Sequence, residues 1–156
     1  MGMTIESALV LDASVGVKVV LPEEGSEAAR TLFAVLLSPE GPGALVPDLF
    51  FPECANALRR ATGRRGMSRD LVDGGLGILC ELGLEAFPGR HLVGSALQIA
   101  REDGVSVYDA VYVALSDRTG APLVTADRPL FDRLRGTRHR VRWLGEFAPE
   151  ATPPGV

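Results

Sequence analysis

The sequence predicts a single α/β domain with a three-layer α/β/α arrangement, in which helices cover both faces of a central, mainly parallel sheet. Three observations favour this fold class. Short continuous apolar runs, the pattern of buried parallel strands, alternate along the chain with longer amphipathic segments. Two of these runs, Ala8–Leu11 and Pro122–Thr125, are followed within two residues by an aspartate. The length of 156 residues suits one domain with a sizeable core.

The first half of the chain predicts two strands and four helices. Ser14 is expected to cap the first helix, and Pro22 to stop it. Glycines break the helical pattern at Gly63–Gly66, and three more weaken the following helix, which begins at Ser68. The predicted elements are a strand at Ala8–Leu11, helices at Val15–Leu21 and Ser26–Leu37, a strand at Ala44–Val46, a helix at Phe50–Thr62 and a helix from Ser68 toward Cys80.

The second half predicts three more strands and three more helices. Gly104 and Gly120 each follow a helical pattern, as expected of glycines that end helices. The predicted elements are strands at Leu82–Phe87, Pro122–Thr125 and Val141–Leu144, the last at a sheet edge, and helices at Leu92–Asp103, Ser106–Thr119 and Leu130–Leu134. We expect one domain over residues 1–147 and a disordered, proline-rich tail over residues 148–156.

Charge and composition narrow the class of protein. The net charge is −4, from 20 acidic and 16 basic residues, which argues against a protein that coats DNA non-specifically. Cys54 and Cys80 form neither a CxxC pair nor a zinc spacing, so we expect free cysteines in the core and a reducing cytoplasm. No signal-peptide pattern and no apolar stretch of roughly 18 residues is visible, which predicts a soluble cytoplasmic protein without membrane contact.

Four carboxylates stand in unusual places. Asp12 and Asp127 follow apolar strands, so both are expected at the carboxyl edge of the sheet, where α/β proteins bind ligands. Glu53 and Asp109 interrupt apolar helices, where a carboxylate is costly unless it is paired or bound to a metal. Converging carboxylates repel one another, and a hard cation such as Mg²⁺ removes that repulsion. Together the four residues predict a metal site.

Each carboxylate also has a purely structural interpretation. Asp12 and Asp127 are placed to cap the helices that follow them. Asp109 lies three residues after Ser106, the spacing of a capping box. Glu53 lies in a first helical turn, where an acid suits the helix dipole. Any one acid is therefore weak support for a site, and their joint placement is what favours function.

Four motifs surround these acids, in the order Val10–Val15 (VLDASV), Pro52–Arg60 (PECANALRR), Ser106–Leu115 (SVYDAVYVAL) and Leu123–Leu130 (LVTADRPL). These motifs resemble those of PIN domains: an apolar strand followed by Asp and a small residue, a helix with Glu, a "YDA" helix and a "TAD" turn. The resemblance runs from about residue 9 to residue 134. In length the chain is most similar to the small bacterial members, many of which are VapC-type ribonuclease toxins of VapBC toxin–antitoxin pairs.

The resemblance implies a PIN-like fold and hydrolysis of RNA with Mg²⁺ or Mn²⁺. By position, the acidic quartet of the family falls on Asp12, Glu53, Asp109 and Asp127, as catalytic residues and metal ligands. The implied partners are an RNA substrate, a cognate antitoxin protein and a second copy of the chain in a homodimer. Such an antitoxin is expected to bury a helix in an apolar groove and to extend a basic side chain toward the carboxylates.

Other polar residues are expected to support this chemistry. Ser14, Asn56 and Thr125 could hydrogen-bond to the metal ligands, although Ser14 could equally be a helix cap and Thr125 an ordinary strand residue. Basic residues after the Glu53 helix could contact RNA phosphates, with a solvated charged face as the alternative. They are Arg59, Arg60, Arg64, Arg65 and Arg69. A second basic run with the same two interpretations comprises Arg133, Arg135, Arg138, Arg140 and Arg142.

Two other functions fit the sequence less well. An acidic-pocket phosphohydrolase or phosphoacceptor would need a nearby lysine, and Lys18, six residues after Asp12, is a weak candidate. A non-catalytic PIN-fold module that binds RNA or protein would not need four intact acids.

The remaining candidate side chains favour structural roles. His91 and His139 lie in polar segments and are expected at the surface. Tyr108 and Tyr112 lie one turn apart on a helix and are expected to pack in the core or in a dimer rather than to form a platform on which bases stack.

Overall fold

The computed structural model describes residues 4–151 and residue 155, and its centre is a five-stranded parallel sheet. Val10, in the middle strand, pairs with Leu45 on one side and with Leu123 on the other. The strands, in the spatial order β3-β2-β1-β4-β5, are β1 (Leu9–Leu11), β2 (Ala44–Pro47), β3 (Glu85–Phe87), β4 (Leu123–Thr125) and β5 (Val141–Trp143). All four pairings are parallel.

Helices cover this sheet on both faces, which confirms the predicted three-layer α/β/α fold. They are α1 (Ala13–Val20), α2 (Ser26–Leu36), α3 (Phe50–Arg64), α4 (Arg69–Glu81), α5 (Val93–Asp103), α6 (Val107–Thr119) and α7 (Arg128–Leu134), with 3-10 turns at Gly89–His91 and Leu144–Phe147. α6 packs on α5 and crosses β1, β2 and β4, whereas α1 packs on α2, α3 and α4. Within the described residues, no helix is both long and apolar enough to cross a bilayer.

The strand order reverses between β1 and β4. From β1 the chain adds β2 and β3 on one side, and it later adds β4 and β5 on the other. A crevice opens at such a switch point, beyond the carboxyl ends of the two strands. Asp12 follows β1 and Asp127 follows β4, so both predicted site residues lie at this point.

The core explains why these elements form. Every residue of β1 and β4 is buried, as expected of central parallel strands. In α6 the segment from Ala110 to Ser116 is buried on all sides, because this helix lies between the sheet and α5.

Two glycines allow helices to approach closely. A Cβ on Gly16 would overlap the ring of Phe50, and a Cβ on Gly75 would overlap the side chain of Val20. α1 therefore lies against α3 at the first glycine and against α4 at the second. The predicted helix after Ser68 forms in spite of its glycines, and Gly75 is required there because of this contact.

Some local predictions were wrong. The third strand spans only Glu85–Phe87, because Leu82 is the extended residue that ends α4. Ser14 does not cap the first helix, because that helix begins at Ala13 and Asp12 takes the cap position. Of the tail predicted to be disordered, residues 148–151 and 155 form no helix or strand, while residues 152–154 and 156 lie outside the described residues.

His139 is buried, contrary to the prediction of a surface residue, whereas His91 is exposed as expected. The Nε2 atom of His139 lies 2.8 Å from Asp103 at the end of α5, and its Nδ1 atom lies 3.0 Å from Asp117 in α6. At least one ring nitrogen carries a proton, which it donates to the carboxylate beside it. His139 thus ties α5 and α6 to the segment that precedes β5.

The prediction that both cysteines lie in the core was half right. Cys54 is buried and Cys80 is exposed, and both are free. The buried face of α4 is formed by Val72, Gly75 and Leu79, and Cys80 lies one residue beyond it on the solvent side. The tyrosines of α6 divide in the same way, since Tyr112 is fully buried and Tyr108 is 64% exposed.

Candidate active site

Asp12 is a buried carboxylate at the switch point of the sheet. Its residue is only 6% exposed, and its Oδ2 atom accepts hydrogen bonds from the Ser14 hydroxyl (2.6 Å) and the Thr125 hydroxyl (2.8 Å). Although Asp12 occupies the position before α1, its side chain accepts no helix-capping hydrogen bond. The capping interpretation is therefore wrong for Asp12, and its burial needs another explanation.

Ser14 and Thr125 connect Asp12 to the loop after β4. While their hydroxyls donate to Asp12, the Ser14 oxygen accepts from the Ala126 amide (2.9 Å) and the Thr125 oxygen accepts from the Asp127 amide (3.0 Å). The hydroxyl oxygens lie 3.3 Å apart. This network holds the Asp12 carboxylate in one orientation and fixes the backbone that presents Asp127.

Glu53 and Tyr112 bring a second polar pair to the site. Glu53 Oε1 and the Tyr112 hydroxyl are both buried, and neither forms a hydrogen bond of normal geometry within the described residues. Burial raises the pKa of Glu53, the nearby Tyr112 hydroxyl lowers it in part, and the charge of Asp109 raises it further. Burial, with the charges of Asp12 and Glu53, raises the pKa of Tyr112, so this phenol keeps its proton.

Tyr112 was missed as a site residue in the sequence. Its position was informative, because residues three apart on a helix share a face and Tyr112 lies three residues after Asp109.

Asp109 and Asp127 complete the group of four. Ser106 caps α6 by accepting a hydrogen bond from the Asp109 amide (3.1 Å), and the pKa of Asp109 is lowered in part by the Ser106 hydroxyl. Burial raises the pKa of Asp109, and the charge of Asp127 adds to the effect. The Oδ1 atom of Asp127 accepts from the Leu130 amide (3.1 Å), so the capping interpretation holds for one oxygen of this residue.

The four predicted carboxylates are electrostatically coupled in the structure. The pKa of Asp12 is raised to about 6, mainly by burial, and the hydroxyls of Ser14 and Thr125 oppose that rise. The charges of Asp109 and Glu53 raise the pKa of Asp12 further. Within residues 4–151, however, no three Asp, Glu, His or Cys side chains are arranged to hold a metal ion as they stand. The cluster is therefore coupled but open.

The basic residues of α3 extend away from this cluster. Asn56 is exposed, its side-chain oxygen accepts from Arg59 (3.4 Å), and its side-chain amide donates to none of the four carboxylates within the described residues. Arg64 lies eleven residues after Glu53, which is about 16 Å along the helix axis. Arg65 forms an ion pair with Glu23. Of the predicted phosphate contacts, Arg59 is thus the nearest in the helix to the carboxylates.

The second basic run is largely engaged in structural contacts. Arg135, Arg138 and Arg142 form ion pairs with acidic side chains, and Arg140 donates to the carbonyl of Gly120 (2.7 Å). These contacts favour the exposed-face interpretation of this run.

Arg128 is a basic residue beside the site that the sequence did not single out. Its guanidinium carbon lies 3.9 Å from the centroid of the Trp143 ring and 5.7 Å from that of Phe131. The stacking fixes a cation one residue after Asp127. Among the described residues Arg128 forms no ion pair, so its N–H groups are available to an anion.

An α/β domain with an acidic cluster at the switch point of a parallel sheet defines a class of protein, and comparisons identify the class. The family model of the PIN domain matches residues 9–136, so this chain belongs to the PIN domain family. A curated relative, Ribonuclease VapC3 of Pyrobaculum aerophilum, is 36% identical over 130 residues, which cover 80% of this chain and 93% of that protein.

Solved structures show the same fold at lower sequence identity. PAE2754 of Pyrobaculum aerophilum has a TM-score of 0.63 and 19% identity, and the match covers 91% of this chain and 93% of that one. VapBC2 of Rickettsia felis, bound to a DNA fragment from its promoter, has a TM-score of 0.60 and 12% identity, covering 87% and 98%.

Proposed function

We propose that this PIN domain is a metal-dependent endoribonuclease that hydrolyses RNA phosphodiester bonds, and that it is the toxin of a toxin–antitoxin pair. The observation that carries the proposal is the coupled group of Asp12, Glu53, Asp109 and Asp127 at the switch point. The similarity of this chain to Ribonuclease VapC3, over most of the length of both proteins, supports the same activity.

The donor set fits a hard divalent cation, Mg²⁺ or Mn²⁺. Such ions prefer carboxylate oxygens, and Mg²⁺ usually keeps several of its waters. An open cluster suits an ion held partly through water, and Glu53 Oε1 is a buried acceptor without a described partner. Asp12, Asp109 and Asp127 would hold the ion, and Glu53 would complete the set. When bound, the metal supplies a water of lowered pKa and stabilises negative charge on the phosphate.

The other residues of the site orient these groups and the substrate. Ser14 and Thr125 donate to Asp12, which favours its ionised form and holds it toward the crevice. The protonated hydroxyl of Tyr112 faces Glu53 and can donate to that carboxylate or to a water beside it. Arg128, held against Trp143 one residue after Asp127, would contact a phosphate beside the cluster.

An antitoxin, a homodimer and a cytoplasmic location belong to the same proposal. Solved neighbours with the same fold include a toxin–antitoxin complex from Klebsiella pneumoniae and the VapBC2 complex. A basic side chain of an antitoxin would neutralise the acidic cluster, which makes inhibition at this site electrostatically favourable.

The alternative of a lysine-assisted phosphohydrolase has little support. The Nζ atom of Lys18 is held by Glu23 (3.1 Å) and by the carbonyl of Glu24 (2.7 Å), away from Asp12. The non-catalytic alternative remains the outcome that the next experiment distinguishes.

RNA cleavage tests the proposal directly. A mixed pool of transfer and structured RNA is incubated with Mg²⁺ or Mn²⁺ and the native protein, Asp12→Asn, or the native protein with EDTA. Asp73→Asn is the matched control, because Asp73 is an exposed acid on α4 outside the site. We expect cleavage by the native protein and the control only. Cleavage that survives EDTA would refute the metal, and a folded protein that neither cleaves RNA nor binds metal would be a binding module.

A further inference from the structure

A cavity of about 490 Å³ is lined by residues next in sequence to Glu53 and Asp109. It opens between the first turns of α3 and α6. Pro52, which lines it, is the residue before Glu53, and Tyr108, which also lines it, is the residue before Asp109. The cavity therefore lies beside the turns of α3 and α6 that carry Glu53 and Asp109.

The walls of the cavity are apolar and partly open to solvent. Tyr108 is 64% exposed, and the neighbouring Val93 and Val107 are also exposed. Tyr108 forms no side-chain hydrogen bond within the described residues. Tyr108 was predicted to pack in the core or in a dimer, and its exposure contradicts only the core position. A contiguous apolar surface beside a polar site is typical of a ligand site.

One charged group lines this cavity. The Oδ1 atom of Asp48 accepts a hydrogen bond from the Gly89 amide (3.0 Å), and a Cβ at Gly89 would press on the same oxygen. This contact holds the Asp48 side chain in place and leaves its other oxygen free to accept. No lysine or arginine lines the cavity, so it does not suit a phosphate. It suits a flat apolar group that carries N–H donors.

We infer that the cavity binds one unpaired nucleobase of a single-stranded RNA, stacked on Tyr108 and donating to Asp48. This inference rests on the proposed function, because the adjoining phosphate of the strand would lie at the carboxylates. Single-stranded RNA is commonly recognised by bases that stack on aromatic side chains and hydrogen-bond through their edges. A carboxylate acceptor favours a base whose edge carries N–H donors, and guanine carries two adjacent ones, N1–H and the amino group.

A second copy of the chain fits the surface less well. A twofold contact places the same patch against itself, which would bring two Asp48 carboxylates and two acidic clusters toward each other. A nucleobase adds no charge at this point, and its N–H groups can donate hydrogen bonds to the free oxygen of Asp48.

Fluorescence anisotropy with short RNAs tests the inference. Three labelled heptamers are compared: all uridine, one central guanosine among uridines, and one central abasic site among uridines. Every protein carries Asp12→Asn, so that the strand is not cut. We expect the guanosine strand to bind about tenfold more tightly than the abasic strand, which is within the range of base–aromatic stacking. Tyr108→Ala should remove that difference, while Tyr108→Phe should keep it.

Leu97→Ala is the matched control. Leu97 is an exposed apolar residue of α5, 43% exposed, that does not line the cavity. Equal affinity of the parent protein for the guanosine and abasic strands, or no RNA binding, would overturn the inference. A third outcome would also overturn it: in sedimentation velocity both Tyr108→Ala and Leu97→Ala convert a dimer into a monomer, and neither changes the affinity for RNA. The exposed apolar face would then bind a second copy of the chain.

Cleavage assays with Asp12 restored separate this inference from the proposed function. Tyr108-dependent binding by a protein that cuts no RNA would leave the base site standing and refute the nuclease. Native-rate cleavage by Tyr108→Ala, with no preference for the guanosine strand, would leave the nuclease standing and refute the base site.

Discussion

The burial of Asp12 destabilises the metal-free protein by an amount that can be calculated. Its pKa is about 6 in the folded chain, against an ordinary value of 3.8. The folded state therefore binds this proton more tightly, and stability falls as pH rises from 3.8 through 6. Multiplying the difference of 2.2 by the energy per pKa unit gives a loss of about 3 kcal/mol above that window.

Asp12→Asn should remove this loss. The asparagine has the same shape and no charge, and its oxygen can still accept from Ser14 and Thr125. Urea unfolding in EDTA measures the free energy of unfolding of the native protein and the variant at two pH values. By linkage, the advantage of the variant should grow by about 2 kcal/mol between pH 4.5 and pH 7.5. Asp73→Asn, at an exposed acid, should show no such change.

Added Mg²⁺ should offset most of the stability advantage of Asp12→Asn. At a concentration of 100 times its dissociation constant, a ligand that binds only the folded state stabilises it by about 2.7 kcal/mol. The native protein should gain this stabilisation and Asp12→Asn should not. A stability difference that does not depend on pH would show that the burial of Asp12 carries no such cost. Equal stabilisation of both proteins by Mg²⁺ would show that Asp12 does not hold the metal.

Three further changes test other parts of the structure. His139→Ala removes the buried link between two carboxylates and should lower the free energy of unfolding in urea by about 2–3 kcal/mol. His91→Ala, at an exposed position, should change that free energy by less than about 0.5 kcal/mol. Equal effects of the two changes would contradict the link. Gly75→Ala should destabilise the protein by about 1–3 kcal/mol, because the added methyl group overlaps a neighbouring helix. Gly74→Ala, whose methyl group meets open space, should stabilise it by about 0.5–1 kcal/mol. Thermal melting that gives both changes the same sign would refute the close approach of the helices. Tyr112→Phe removes the hydroxyl that lowers the pKa of Glu53, so the acidic limb of the pH–rate profile for RNA cleavage should move to higher pH. An unmoved limb would show that the hydroxyl does not act on that carboxylate.

Much of the fold followed from local patterns. The apolar runs at β1 and β4 were predicted because strands buried on both faces have little choice of residue. The third strand was predicted too long, because its exposed, mixed sequence carries no periodic signal and its pairing with β2 decides where it begins. The glycines of α4 predicted only a weak helix. The sequence could not show why Gly75 is needed, because its contact with Val20 joins residues that lie 55 positions apart.

The candidate site followed the same division. The chain alone determined that Asp12 and Asp127 lie at one edge of the sheet, because the carboxyl ends of parallel strands converge there. It also determined that Glu53 and Asp109 interrupt apolar helices. Only the tertiary structure decided that Tyr112 faces Glu53, that Asn56 points to solvent and that His139 is buried between two acids. The direction of a side chain depends on how its helix or loop is rotated against the sheet, and contacts between residues distant in sequence set that rotation.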